Sequence, residues 1–385
     1  MSVLAEAPEA IAAATAAQPA ARLALAAAAS APSHAYLLAG PPGSGKRAAA
    51  RALAAELLAE GAPDPQEARR RALADPSPHP DLAWIRPPGT QHLVEEVRER
   101  VIALAAFRPF EGERRVFVIE AADAMAEESQ NALLKTLEEP APFAHLILIS
   151  AEPEALLETV RSRCRAVRFA RLAPEAVEAR VRDLLAGRGQ EVAPPAELRA
   201  VARLADGDPE RAVFLLLAEG RALREAAEAC VLAAAAGAPT GTARRAIVEA
   251  SDAAGERAAA ELRALAESAA EREAGDEREA RRRSREAEEG AKRSGRRART
   301  ESLDLALGLI AALLRDLAAI GEHAPELALN ADRVERLVEA GEIDPRRARR
   351  AAELVMDTRR RLRVNVGEEL ALEALLFRLE YLLAA

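Results

Sequence analysis

Cysteine is almost missing from this chain: Cys164 and Cys230 are the only two in 385 residues. Two thiols cannot make a zinc site by themselves and do not amount to a disulfide framework. A reduced cytoplasm is the expected compartment. Aromatic residues are equally scarce at 3%, so the core must lean on leucine, valine and isoleucine, because alanine buries little area. No apolar run approaches the ~20 residues that a membrane helix needs, and no membrane partner is expected. Glu6 and Glu9 sit where a secretory leader would carry positive charge, so no leader is expected either. A surplus of positive charge is also lacking. The net charge of −8 gives no global attraction to nucleic acid, and any such contact must come from a local patch.

What is present is alanine, arginine, glutamate and leucine, a composition with strong helix propensity. The length fits two to three domains of roughly 150 residues each. One stretch organises the first of them. Gly40-Pro41-Pro42-Gly43-Ser44-Gly45-Lys46-Arg47 follows the apolar run 36–39 and precedes an amphipathic helix predicted over 46–60. It matches the phosphate-cradling pattern G-x-x-x-x-G-K-[ST] except at its last position. Gly40, Gly43 and Gly45 let the backbone N–H groups turn inward, and Lys46 would reach the terminal phosphates. The hydroxyl that should hold Mg²⁺ is replaced by Arg47.

Further along, strands alternate with helices, which predicts a parallel sheet with crossover helices. Residues 1–32 read as a weak helix, or a frayed end plus a helix over 18–30. Residues 61–80 read as a loop region that could hold a short helix at 66–73. Strands are predicted at 82–85, 115–120, 146–150 and 167–169, the first closed by Pro87-Pro88-Gly89. Helices are predicted at 91–106, with Leu93 on its apolar face, and at 126–138 and 153–162. The buried strand 115–120 ends in Glu120, the candidate to meet a metal ion. Ala121 follows, where a hydrolysing enzyme would need a carboxylate to activate water. Asp123 reads as the N-cap of the next helix.

After residue 172 the strand signals stop. Three short helices are predicted over 174–187, 196–204 and 207–217, and the chain is helical again from 221. Residues 254–300 are dominated by Glu, Arg and Ala, and read as a solvated helix or a disordered excursion. Dense leucine spacing returns at 370–383, behind Val364-Asn365-Val366-Gly367, and should pack.

The run NALLKTLEEP at 131–140, followed by Ser162-Arg163-Cys164, resembles the clamp-loader subunits of the bacterial DNA polymerase III holoenzyme, a branch of the AAA+ proteins. With Ser33-His34-Ala35-Tyr36-Leu37, His79-Pro80-Asp81 and the degenerate acidic strand, the likeness is greatest to its delta-prime members. It is dense over 18–172, diffuse over 173–220 and faint beyond. The resemblance implies an α/β P-loop (AAA+) domain over 1–172, a small helical lid over 173–220 and an all-α collar over 221–385 that oligomerises. It implies a stator in a heteropentamer, with ATP-hydrolysing gamma/tau subunits and the delta subunit as partners. That assembly places the sliding clamp on primed DNA. It also implies that Arg163 is an arginine finger, acting in trans on a neighbour's ATP.

Residue chemistry is consistent with that division. A planar guanidinium can stabilise charge on a transferring phosphoryl group, whereas Arg47 and Ala121 argue against hydrolysis here. Without the motif, Arg163 would read as a surface arginine beside Arg161, Arg165 and Arg168. In the 131–140 helix, Leu133, Leu134 and Leu137 form a buried face, while Lys135 projects elsewhere. ATP or ADP bound without turnover, through Gly43, Gly45 and Lys46, is the one cofactor expectation. Zinc is not expected, because 61–80 lack the four cysteines that many relatives carry. Arg211, in Gly207-Asp208-Pro209-Glu210-Arg211, lies one position off the pattern for a second phosphate-sensing arginine. The alternative readings are an active gamma/tau-like or related AAA+ ATPase, and a helical scaffold with a relic loop.

Overall fold

The structure is a computed structural model that describes residues 7–87, 91–92, 94–270, 277–339, 343–362 and 367–384. Leu93, Pro88-Gly89 and Val364-Asn365-Val366 lie outside the described residues. The chain divides into two compact units, Met1–Leu172 and Ala173–Ala385.

The first unit opens with helices α1 (Glu9–Ala14) and α2 (Pro19–Ser30), followed by strand β1 (Ala35–Ala39), helix α3 (Lys46–Ala59) and helix α4 (Pro65–Leu73). Asp64 caps α4 by accepting from the N–H groups of Gln66 and Glu67, so the short helix allowed for at 66–73 forms. Strand β2 (Leu82–Ile85) leads into α5 (Val94–Val97), a π-helical turn (Arg98–Ile102) and α6 (Ala103–Ala105). Then come β3 (Arg115–Ile119), α7 (Glu127–Glu138), β4 (Ala144–Ser150), α8 (Glu158–Arg161) and β5 (Arg165–Arg168).

The five strands form one sheet in the order β2-β3-β4-β1-β5, and every neighbouring pair is parallel. Helices cover both faces, so β1, β3 and β4 are buried along their whole length. Alternate residues feed opposite cores. Tyr36, Leu38, Val116 and Ile147 pack with Leu53 and Leu57 of α3. Leu37, Phe117, Leu146 and Leu148 pack with Val101 and Leu133. This is an α/β architecture with a parallel sheet, and the glycine-rich loop stands between its β1 and α3.

Two local expectations are corrected. The helix predicted over 153–162 is broken into a 3₁₀ turn (Pro153–Ala155) and the four-residue α8, because Leu156 and Leu157 are extended. That bend buries Leu156 and lets Gln130 Oε1 accept the Leu157 N–H at 2.7 Å. Asp123 does not cap the following helix. Ala126 occupies the cap position, and the Asp123 carboxylate accepts instead from the Ala151 N–H at 3.1 Å, just beyond β4.

The regular elements among the second unit's described residues are helices: α9 (Pro174–Gly187), α10 (Pro195–Leu204), α11 (Pro209–Leu216), α12 (Ala218–Ala235), α13 (Gly241–Ala270), α14 (Glu277–Gly321), a 3₁₀ turn (Pro325–Leu327), α15 (Val334–Glu339), α16 (Pro345–Leu362) and α17 (Glu368–Ala384). Over 254–270 and 277–300 the charged segment is helix. A Cβ on Gly255 would meet the Gly295 carbonyl oxygen at 2.8 Å, so α13 and α14 approach backbone to backbone there. Ala259 and Ala291 are buried near that crossing. Small residues, in place of leucine, make this contact. On α17, Leu372, Leu375, Leu376 and Leu379 are buried, whereas Leu370, Phe377 and Tyr381 face outward.

Candidate nucleotide site and arginine finger

The loop between β1 and α3 is shaped by three glycines with positive φ. Gly43 lies at 71° and Gly45 at 94°, the latter directly before α3. Gly40 allows the closest approach: a Cβ there would sit 2.3 Å from the Phe169 carbonyl oxygen. The loop is braced from outside by Gln18, a residue the sequence marked only as a helix start. Its Nε2 donates to the Ser44 carbonyl at 3.1 Å and to the Ala170 carbonyl at 2.7 Å, and its Oε1 accepts the Ala170 N–H.

Lys46 is buried at the start of α3. Its ammonium group donates to the Gly40 carbonyl, to the Pro41 carbonyl at 2.5 Å and to Ser44 Oγ at 3.3 Å. It therefore lies under the loop, wrapped by oxygen acceptors.

Arg47 points toward the end of β3. Its Nε lies 3.1 Å from Glu120 Oε1, while Glu120 Oε2 accepts from Arg86 Nε at 3.0 Å and from the Trp84 indole N–H at 2.9 Å. Asp75 joins the same cluster, 3.1 Å from Arg51 and 3.2 Å from Arg86. The Arg51 guanidinium stacks over Trp84 at 4.5 Å from the ring centroid. Gly40, Gly43, Gly45, Lys46, Arg47 and Glu120 thus come together as the loop pattern implies. Glu120, however, is held by guanidinium and indole donors and is not a free metal ligand. Ala121 beside it carries no acid and sits in the left-handed region, φ 51°. Asp75, Arg86 and Trp84 were missed by sequence reasoning, since no motif marks them; the lone tryptophan before an arginine was the only available signal.

The His79-Pro80-Asp81 stretch proves to be an anchor. Asp81 is buried and accepts from the Phe110 N–H at 2.8 Å, the Glu111 N–H at 3.0 Å and Arg115 Nη2 at 3.0 Å. His92 also lies behind the site, its Nε2 2.7 Å from the Glu120 carbonyl. Burial depresses its pKa and favours the neutral ring.

Arg163 follows α8, away from the protein interior, with its side chain 35% exposed. One terminal nitrogen donates to Glu138 Oε1 at 2.6 Å and the other to the Thr159 carbonyl at 2.9 Å. Arg161 pairs with Glu154, and Arg165 and Arg168 are exposed on β5. Cys164 packs against the sheet core, and burial pushes its thiol up to about 12. Lys135 is exposed on α7, opposite the buried Leu133 and Leu137. Asp208 caps α11 by accepting from the N–H groups of Glu210 and Arg211.

Residues 16–173 match the family model described as DNA polymerase III, delta subunit. Over 158 residues the chain is 35% identical to DNA polymerase III subunit delta' of Bacillus subtilis, covering 39% of this chain and 46% of that relative. Over 136 residues it is 40% identical to subunit delta' of Pseudomonas aeruginosa, covering 34% of this chain and 41% of that one. A solved DNA polymerase III gamma subunit-related protein of Thermotoga maritima aligns over 90% of this chain and 94% of its own, at 15% identity and a TM-score of 0.39. The chain spans less than half the length of these two delta' relatives in the matched regions.

Proposed function

We propose that this chain, whose residues 16–173 match the DNA polymerase III delta-type family model and the delta' relatives, is a clamp-loader stator of the delta-prime kind. It hydrolyses no ATP of its own and lends the Arg163 guanidinium to ATP held by a neighbouring subunit. Its partners in this reading are gamma/tau-type ATPase subunits and a delta subunit in the cytoplasm. Through that assembly it acts on the sliding clamp and primed DNA.

The observation that carries the reading is the ion pair between Arg47 and Glu120 beside Ala121. Hydrolysis needs a group to orient or deprotonate water and a cation to neutralise developing charge. This chain offers an alanine for the first and an already paired carboxylate for the second. Arg163 supports the other half, because it is reachable from solvent and its carboxylate partner is itself half-exposed. A phosphoryl group could take over that contact. The lid over 173–220 and the collar over 221–385 belong to the same proposal, with the outward residues of α17 available to a neighbour.

ATP turnover by the purified full chain tests the first half. No turnover above background is expected, with Arg47→Thr plus Ala121→Glu as the comparison. A robust rate that Lys46→Ala abolishes would assign the chain to the active ATPases instead.

A further inference from the structure

A P-loop site ordinarily holds Mg²⁺ between a Ser/Thr hydroxyl at the end of the loop and an acid at the end of another strand of the same sheet. Neither ligand is available here. The hydroxyl position is Arg47, and Glu120 has both oxygens engaged, by Arg47, Arg86 and Trp84. Mg²⁺ binds through oxygen ligands in a strict octahedral shell. To meet it, Glu120 would have to shed those donors and accept a dication beside two guanidinium groups. The residues do not fit Mg²⁺.

The charges show what they do fit. Arg47, Arg51 and Arg86 face two carboxylates, Glu120 and Asp75, which leaves one positive charge, and Lys46 adds another. Lys46 belongs to the loop whether or not a metal binds, so the cluster's own surplus is the single positive charge beside it. Arg47 is fixed on one side by its Nε, whereas Asp75 is 3.8 Å away, beyond hydrogen-bond distance. Half of its side chain is exposed, 51%, beside the loop.

We infer that the Arg47 guanidinium, seated on Glu120, stands in for the divalent cation, so that this loop takes the phosphate tail of a nucleotide free of metal. The inference rests on reading 40–47 as a nucleotide site and goes beyond it by specifying a metal-independent ligand. A guanidinium suits the task, since it is always charged and presents several donors to phosphate oxygens.

Calorimetric titration of the full chain with ADP, once in excess EDTA and once in millimolar MgCl₂, tests it. The two affinities are expected to agree within about threefold. In EDTA, Arg47→Ala should lose about tenfold or more, the scale of one charge-assisted bond, and Lys46→Ala should lose at least as much. Thermal melting of each variant shows that it is folded. Binding ten times tighter in MgCl₂ than in EDTA would overturn the inference and leave the nucleotide-site reading standing. Arg47→Ala binding as wild type in EDTA would also overturn it. No ADP binding in either buffer would overturn both, while the stator reading, which needs no bound nucleotide here, would survive.

Discussion

Arg163 Nη2 donates to Glu138 Oε1 at 2.6 Å, so one ion pair joins the Ser162-Arg163-Cys164 stretch to the helix of NALLKTLEEP. The two runs that carry the family likeness thus meet at the surface through residues 25 positions apart in the chain. Both partners are well exposed to solvent, at 35% and 49%. Water and salt screen such a pair, and its worth is about 0–1 kcal/mol.

Glu138→Ala should therefore cost the isolated chain no more than about 1 kcal/mol, a shift in melting temperature of about 2–4 °C for a unit of this size. Thermal unfolding of the full chain checks it. A loss of several kcal/mol would show a structural clamp in place of an exchangeable latch.

Asp81→Ala should behave in the opposite way. Its carboxylate is fully buried and holds two backbone N–H groups and the buried Arg115. Removing it strands that guanidinium, at a cost of about 3–5 kcal/mol. Urea unfolding measures this, and a cost below about 1 kcal/mol would contradict the anchoring role.

Much of this was legible in the sequence, and the exceptions have physical causes. The strands expected at 115–120 and 146–150 form, at 115–119 and 144–150, because a sheet covered on both faces demands continuous apolar runs. The loop read clearly because positive φ at Gly43 and Gly45 demands glycine. The break at Leu156 was illegible, since a residue turned into the core by an extended backbone has the same apolar character as one on a helix face. The Arg47–Glu120–Arg86–Asp75 cluster was illegible for another reason. Its members are scattered from Arg47 to Glu120, 73 positions apart in the chain, and only the parallel pairing of β2 with β3 brings Arg86 and Glu120 together. For the same reason, His-Pro-Asp was recognised as a motif while its role as a backbone anchor was not.

Acid should loosen the first unit before its carboxylates titrate. His79, His92 and His145 are buried there, and burial lowers each pKa below the ordinary 6.5. The unfolded chain takes up protons near 6.5, whereas the folded chain resists them. Stability is thus fully present above about pH 6.5 and falls as the pH drops below it. Paired Glu67 and Glu111, whose pKa values are lowered from 4.5, contribute losses only below that value. Urea midpoints between pH 8 and pH 5 should decline, and His145→Gln should flatten the decline. A midpoint that rises on acidification would contradict the assignment.

Neither thiol should react quickly in the native protein, Cys230 least of all, since it is buried and Cys164 only partly so. Burial pushes Cys164 and Cys230 up to about 12, so the thiolate is scarce at pH 8. A chromogenic disulfide reagent should find no fast thiol in the folded chain and two per chain in guanidinium chloride. A rapid native reaction would mean that one of them is exposed.

The most direct measurement of the stator reading is ATP hydrolysis by the reconstituted clamp-loader complex carrying Arg163→Ala. The variant should assemble like wild type, and turnover at the one site it faces should fall about a thousandfold, the scale of an arginine finger. Full assembly with an unchanged rate at that site would contradict it.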